Sequence, residues 1–313
     1  MTFAMLFPGQ GSQSVGMLAD LANQFPEVEQ TFAEASEALG YDLWQLAQSG
    51  PDSELNQTHI TQPAMLAGGI AAWRVWQAQG GPTPAMLAGH SLGEYSALVA
   101  AGSLTLADAA ALVADRGRFM QEAVPAGVGA MAAVLGLDDD KVIELCETGA
   151  EGEVVSAVNF NSPGQVVVAG NAAAVERVVG LAKDAGAKRA IVLPVSVPSH
   201  CSLMQPAAER LAERLASVAV STPQIPVLNN VDVNAQTDPE AIRAALTRQL
   251  FSPVRWVETI EAMAAEGIAQ VVECGPGKVL SGLNKRINRQ MTAHATLDAA
   301  AMAKALQAIR EGG

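Results

Sequence analysis

The sequence predicts an α/β fold with a parallel sheet, and three observations carry that reading. Two short apolar runs, residues 2–7 and 85–88, each stop at a glycine-containing turn and lead into long helical patterns, the alternation expected of parallel strands joined by helices. The 313 residues are 50% hydrophobic and only 16% charged, which suits a large buried core and about two structural units. Near Pro125-Ala126-Gly127 the rhythm changes to shorter, closely spaced strand patterns, so a second unit is expected there.

In chain order, residues 2–7 read as a buried strand stopped by Pro8-Gly9, followed by the loop Gly9-Gln10-Gly11-Ser12-Gln13. Helical patterns run to about Gln79 with a break at Ser49-Gly50-Pro51. The second strand, residues 85–88, ends at Gly89; helix resumes from Leu92, and residues 106–124 form an alanine-rich helix. After the change of rhythm come a strand at 130–135, a helix at 138–148 that begins on acidic residues, and strands at 154–160 and 165–169. The link between those two strands, Asn161-Ser162-Pro163-Gly164, suits a hairpin. A helix at 172–185 and a strand at 189–194 complete a β-α-β-β-α-β order, that of a ferredoxin-like unit. The expected division is therefore a larger α/β subdomain, 1–126 and 196–313, with a ferredoxin-like subdomain, 127–195, inserted. No internal repeat or low-complexity stretch interrupts it.

Composition narrows the classes of function. Aromatics make up 4% of the chain, so the core must be built from Ala, Val, Leu, Ile and Met. A net charge of −13 argues against a nucleic-acid surface, which needs clustered Lys and Arg. The three cysteines, Cys146, Cys201 and Cys274, lack metal-ligand spacing, and their odd number suggests reduced thiols in the cytoplasm. The first residues lack the basic start and apolar stretch of a signal peptide. No uninterrupted apolar run reaches the roughly 18 residues of a membrane span.

Gly89-His90-Ser91-Leu92-Gly93 fits G-x-S-x-G between an apolar strand and a helix-forming stretch. Such a turn presents a serine hydroxyl, and the glycines relieve crowding around it. The helix N-terminus adds a positive field for a developing oxyanion. The plain alternative is a glycine-bounded loop with a capping serine; the strand-turn-helix context favours the nucleophile. A serine needs a base, and there are four histidines. His90 adjoins the serine and would point elsewhere, His59 lies among Asn56-Gln57-Thr58, and His294 lies in the C-terminal segment. His200 follows an apolar strand and Pro198-Ser199, a strand-end loop of the kind that carries catalytic bases. No aspartate has a matching context, and a backbone carbonyl could orient the imidazole instead.

Arg116 is out of place. Ala111, Asp115, Arg118 and Glu122 share the solvated face of its helix, whereas Arg116 projects among Ala109, Leu112, Val113, Phe119 and Met120. A buried guanidinium needs an anionic partner. Two readings follow: a structural salt bridge to an internal Asp or Glu, or a clamp for a substrate carboxylate.

Taken together, these blocks resemble malonyl-CoA:acyl-carrier-protein transacylases of type II fatty-acid synthesis. The resemblance rests on Pro8-Gly9-Gln10-Gly11-Ser12-Gln13, Gly89-His90-Ser91-Leu92-Gly93-Glu94-Tyr95, Arg116-Gly117-Arg118 and Pro198-Ser199-His200. Gln249-Leu250, residues 252–256 and Gly275-Pro276-Gly277-Lys278 extend it along almost the whole chain. It implies an α/β-hydrolase-like core with the ferredoxin-like insert, Ser91 as nucleophile and His200 as base. It further implies the Gln249 carbonyl as the group that orients His200, the amides of Gln10 and Leu92 as the oxyanion hole, and Arg116 as the carboxylate-binding arginine. Gln62, Asn159 and Asn161 match positions that line the family's site. Leu92 and Val197-Pro198-Ser199-His200 are similar to the malonyl-selective form. The substrates implied are malonyl-CoA and a phosphopantetheinylated acyl carrier protein, with no metal or redox cofactor. Because such carriers are acidic, a local basic patch is expected, with Arg189, Lys285, Arg286 and Arg289 as candidates. Competing readings are a malonyl acyltransferase serving a polyketide pathway, a serine thioesterase or esterase with water as acceptor, a non-catalytic carrier-docking domain, and a dinucleotide-binding module on Gly9-Gln10-Gly11. The last lacks the third glycine and a convincing ribose-binding acid.

Overall fold

The computed structural model describes residues 2–195 and 197–312. Its strands are β1 Phe3–Phe7, β2 Met86–Gly89, β3 Gly129–Leu135, β4 Val155–Ser162, β5 Gln165–Asn171, β6 Arg189–Val192, β7 Val227–Leu228, β8 Gln270–Glu273 and β9 Thr292–Ala295. A five-stranded sheet runs β7-β2-β1-β8-β9 with every pairing parallel. A four-stranded antiparallel sheet runs β4-β5-β3-β6.

β1 is central because it is apolar on both faces, as a parallel strand covered on both sides must be. Phe3, Met5 and Phe7 join the core beneath the helices Glu27–Leu39 and Thr58–Ala78, while Ala4 and Leu6 pack with Trp256, Ile260 and Leu280 on the other face. Phe7 lies in register with Gly89, so β2 delivers the Gly89–Gly93 turn to the carboxyl edge of the sheet, where open α/β folds bind ligands.

The smaller sheet divides its faces by the same period of two. Ala130, Ala132 and Val134 pack on the helices Asp139–Ala150 and Ala172–Asp184 through Val142, Leu145, Val175 and Val178. Met131, Val158, Val167 and Ala169 face the other way and pack with Cys201, next to His200. The segment at Val254 is stitched to β4 of the smaller sheet: the Phe160 amide donates to the Val254 carbonyl at 3.1 Å, and the Val254 amide to the Val158 carbonyl at 2.8 Å.

Some boundaries differ from the expectation. β4 continues through Asn161 and Ser162, so the hairpin turn shrinks to Pro163-Gly164, with Gly164 at φ 70°. The long N-terminal helical pattern divides into five helices, with Gly50 at φ 64° where the break was expected. The strand expected over 189–194 ends at Val192, and the expected boundary at residue 196 lies outside the described residues. All three cysteines are buried and unpaired. Among the described residues no helix is long and apolar enough to cross a membrane.

Candidate active site

The turn after β2 is held in a conformation that only its glycines permit. A Cβ on Gly89 would lie 1.8 Å from the Gly93 carbonyl carbon, and one on Gly93 would lie 2.0 Å from the Phe7 carbonyl oxygen. Ser91 itself sits at φ 51°, a left-handed conformation costing about 1–3 kcal/mol that persists only where the surroundings enforce it. Asn230 is part of that enforcement. Its Oδ1 accepts from the Ser91 amide at 2.7 Å, and its Nδ2 donates to the Gly89 carbonyl at 2.7 Å.

His200 is likewise left-handed, at φ 67°, and its amide donates to the Leu250 carbonyl at 2.9 Å. Its Nε2 lies 2.8 Å from Ser91 Oγ, and its Nδ1 lies 2.7 Å from the Gln249 carbonyl oxygen. A carbonyl can only accept, so Nδ1 carries the proton and Nε2 turns its lone pair to the serine. Gln249 closes the helix Pro239–Gln249, and the last carbonyls of a helix have no partner within it and carry its negative end. Here that unsatisfied carbonyl does the orienting that an aspartate does elsewhere. Burial first, and then the positive charge of Arg116, push His200 from 6.5 down to about 3, against the opposing pull of the Gln249 hydrogen bond.

Arg116, in the helix Leu106–Ala123, is 1% exposed. Its Nη1 donates to Gln62 Oε1 at 2.7 Å, and its Nη2 to Gln249 Oε1 at 2.9 Å and to Ser91 Oγ at 3.2 Å. Among the described residues it forms no ion pair, which sets aside the salt-bridge alternative. Its partners are neutral amides and the serine hydroxyl, and its Nε has no acceptor. A buried guanidinium 3.2 Å from the Ser91 hydroxyl, with no carboxylate in contact, has the donors to bind one.

Gln10, Leu92, Gln62 and Asn159 join these three residues around a cavity of about 500 Å³. Among the described residues the Gln10 and Leu92 amides have no hydrogen-bond acceptor in the protein. Asn159 Oδ1 is buried without a partner. Asn161 is placed differently from its expected neighbours: its Oδ1 accepts from His90 Nε2 at 2.8 Å, and it does not line the cavity. His59 and His294 lie off the site against Gln121 and Gln270. Arg189, Lys285, Arg286 and Arg289 are exposed and outside the cavity. Arg286 Nη1 donates to Gln165 Oε1 at 2.6 Å, and both Gln165 and Arg189 pair with Leu135, so Arg286 and Arg189 share one end of the small sheet.

The family model for the acyl transferase domain matches residues 4–307. The chain belongs to the acyl transferase family. It is 62% identical over 305 residues to the malonyl CoA-acyl carrier protein transacylase of Escherichia coli, covering 97% of this chain and 99% of that one. Its identity to the protein of the same name from Bacillus subtilis is 46% over 309 residues, covering 98% and 97%. Among solved structures, the malonyl CoA-acyl carrier protein transacylase of Coxiella burnetii superposes with a TM-score of 0.98 at 50% identity, covering 99% and 98%. A malonyl-transacylase in complex with its type II PKS acyl-carrier protein superposes at 0.97 with 58% identity, covering 98% and 99%.

Three features of this acyl transferase were not read from its sequence: Asn230, Glu94 and the side chain of Gln249. Glu94 is a lone carboxylate in the apolar stretch Leu92–Ala101, the same signal that singled out Arg116. It is 2% exposed, and its Oε2 accepts from the Asn230 amide and from Gln249 Nε2, each at 2.9 Å. Burial pushes it up to about 7, opposed by those two hydrogen bonds and by Arg116. Nothing local in the sequence marks Asn230, whose role depends on the chain returning beside β2.

The depressed His200 has a consequence for stability. Unfolded, its imidazole takes a proton near 6.5; folded, it refuses one until about 3. Lowering the pH from 7.5 to 5 therefore favours the unfolded state, by about 2 kcal/mol from this group. Denaturant unfolding of the wild type and of His200→Asn at both pH values should show the wild type losing that much more. Equal losses would contradict a neutral buried imidazole.

Proposed function

We propose that this chain moves a malonyl group from malonyl-CoA to the phosphopantetheine thiol of an acyl carrier protein through a malonyl ester on Ser91. The observation that carries the reading is the buried Arg116 guanidinium, with no carboxylate in contact among the described residues and 3.2 Å from Ser91 Oγ. A general esterase has no need of it. In the first step Ser91 Oγ–H gives its proton to His200 Nε2 while Oγ attacks the thioester carbon. The oxyanion falls to the free amides of Gln10 and Leu92. As the C–S bond breaks, the coenzyme A sulfur leaves with the proton from His200. In the second step the carrier thiol gives its proton to His200 and attacks the malonyl ester; the C–O bond breaks and Ser91 Oγ takes the proton back. The Gln249 carbonyl holds the imidazole through both steps, and Arg116, anchored by Gln62, holds the malonyl carboxylate.

In this reading residues 1–126 and 196–313 form an α/β-hydrolase-like subdomain and residues 127–195 a ferredoxin-like one; the β4-β5-β3-β6 order supports the latter. The setting is cytoplasmic fatty-acid synthesis. Arg189 at the start of β6, with Lys285 and Arg286 on the helix Val279–Ile287 that meets the small sheet at Gln165, is the proposed basic surface for the acidic carrier. Incubation with malonyl-CoA and carrier protein, followed by mass analysis, tests the whole reading. Malonyl should appear on the holo carrier and not on the apo form, and Arg286→Glu should raise KM for the carrier more than for malonyl-CoA. Malonate released to water with no carrier adduct would point to an esterase instead.

A further inference from the structure

Glu94 stands beside the site without touching a reacting atom. Its hydrogen bonds lead to Arg116 through Gln249, whose Nε2 faces three acceptors: Glu94 Oε2 at 2.9 Å, the Ser91 carbonyl at 3.0 Å and Asn230 Oδ1 at 3.5 Å. The Asn230 amide is itself fixed, because its Oδ1 accepts from the Ser91 N–H. With acceptors on all sides of Nε2, the Gln249 side chain has one allowed orientation, and its Oε1 is delivered to Arg116 Nη2 at 2.9 Å.

We propose that Glu94 is a positioning and specificity residue: through the Gln249 amide it aims Arg116 while leaving the guanidinium free to bind a carboxylate on the substrate. The physical argument turns on the single amide in between. A carboxylate in direct contact with Arg116 would neutralise it, and a substrate carboxylate would have to displace that partner. No carboxylate nearby would leave a buried cation wholly uncompensated. One intervening neutral amide passes the negative pull along a chain of polarised hydrogen bonds without occupying the arginine's outward donors. The same Gln249 orients His200 through its main-chain carbonyl, so the acid-reading and proton-moving halves of the site share one residue.

This rests on the reading that Arg116 takes the malonyl carboxylate, and the test separates the two. The measurement is kcat/KM for acylation of Ser91 by malonyl-CoA and by acetyl-CoA, expressed as a ratio. Glu94→Gln should lower the malonyl-to-acetyl ratio at least tenfold, chiefly through KM for malonyl-CoA. Gln249→Glu, which puts a carboxylate directly on Arg116, should raise that KM at least as much; it decides the matter if Glu94→Gln does not fold. An unchanged ratio in Glu94→Gln, or equal losses with both thioesters, overturns the proposal. So does an unchanged KM for malonyl-CoA in Gln249→Glu. A wild-type ratio near one overturns the Arg116 reading and the proposal with it, whereas a high wild-type ratio that survives both substitutions overturns the proposal alone.

Discussion

Replacing Ser91 with alanine should lower malonyl transfer by about 10⁴-fold or more, the scale on which removing an activated nucleophile acts. The expectation follows from how completely the surroundings are built around that one oxygen. Gly89 and Gly93 leave no room for any side chain, Asn230 holds the turn from both sides, and His200 meets Oγ at 2.8 Å. Alanine at φ 51° removes the oxygen and preserves the turn. Because nucleophile and base act as a unit, adding His200→Asn to Ser91→Ala should cost little more in a steady-state transfer assay. A Ser91→Ala protein that retains a tenth of the wild-type rate would contradict the assignment.

Arg116→Ala should have the second largest effect and a different signature. Losing the cation that contacts Ser91 Oγ should cost malonyl-CoA about 10²- to 10³-fold in kcat/KM, the equivalent of about 3–4 kcal/mol for a buried charged pair deprived of one partner. Acetyl-CoA, which brings no carboxylate, loses nothing by the change. Its relative activity should rise, since the positive charge that depresses His200 is gone as well. Competition between the two thioesters reads this directly. Equal losses for malonyl and acetyl groups would mean that Arg116 serves the fold rather than the substrate.

Much of this site is legible in the sequence because each part leaves a local contradiction there. Ser91 lies between two glycines at a strand-to-helix turn, and Arg116 sits in an apolar stripe; the first needs a strained elbow and the second an anion. Both features are short-range, and a helical period or a pentapeptide carries them. The strands are legible for the same reason: short apolar runs such as β1 and β2, each stopped at a glycine-containing turn, are written in neighbouring residues. What escaped were contacts closed by the fold at long range. The Gln249 side chain reaches the Ser91 carbonyl from more than a hundred residues away, and Asn230 acts only because its segment returns alongside β2. Asn161 shows the converse. The family pattern places it with the site, while here it pairs with His90 and leaves the cavity wall to Asn159. The end of β4 was misjudged because Asn161 and Ser162 read as turn formers, yet the β5 partner holds Ser162 in register with Gln165.

The most direct measurement is the intact mass of the protein after brief mixing with malonyl-CoA in the absence of any carrier. The account predicts a single malonyl adduct that maps to Ser91, is absent from Ser91→Ala, and disappears when holo carrier protein is added. A protein that transfers malonyl at full rate yet never carries the group, or carries it on another residue, would contradict the account.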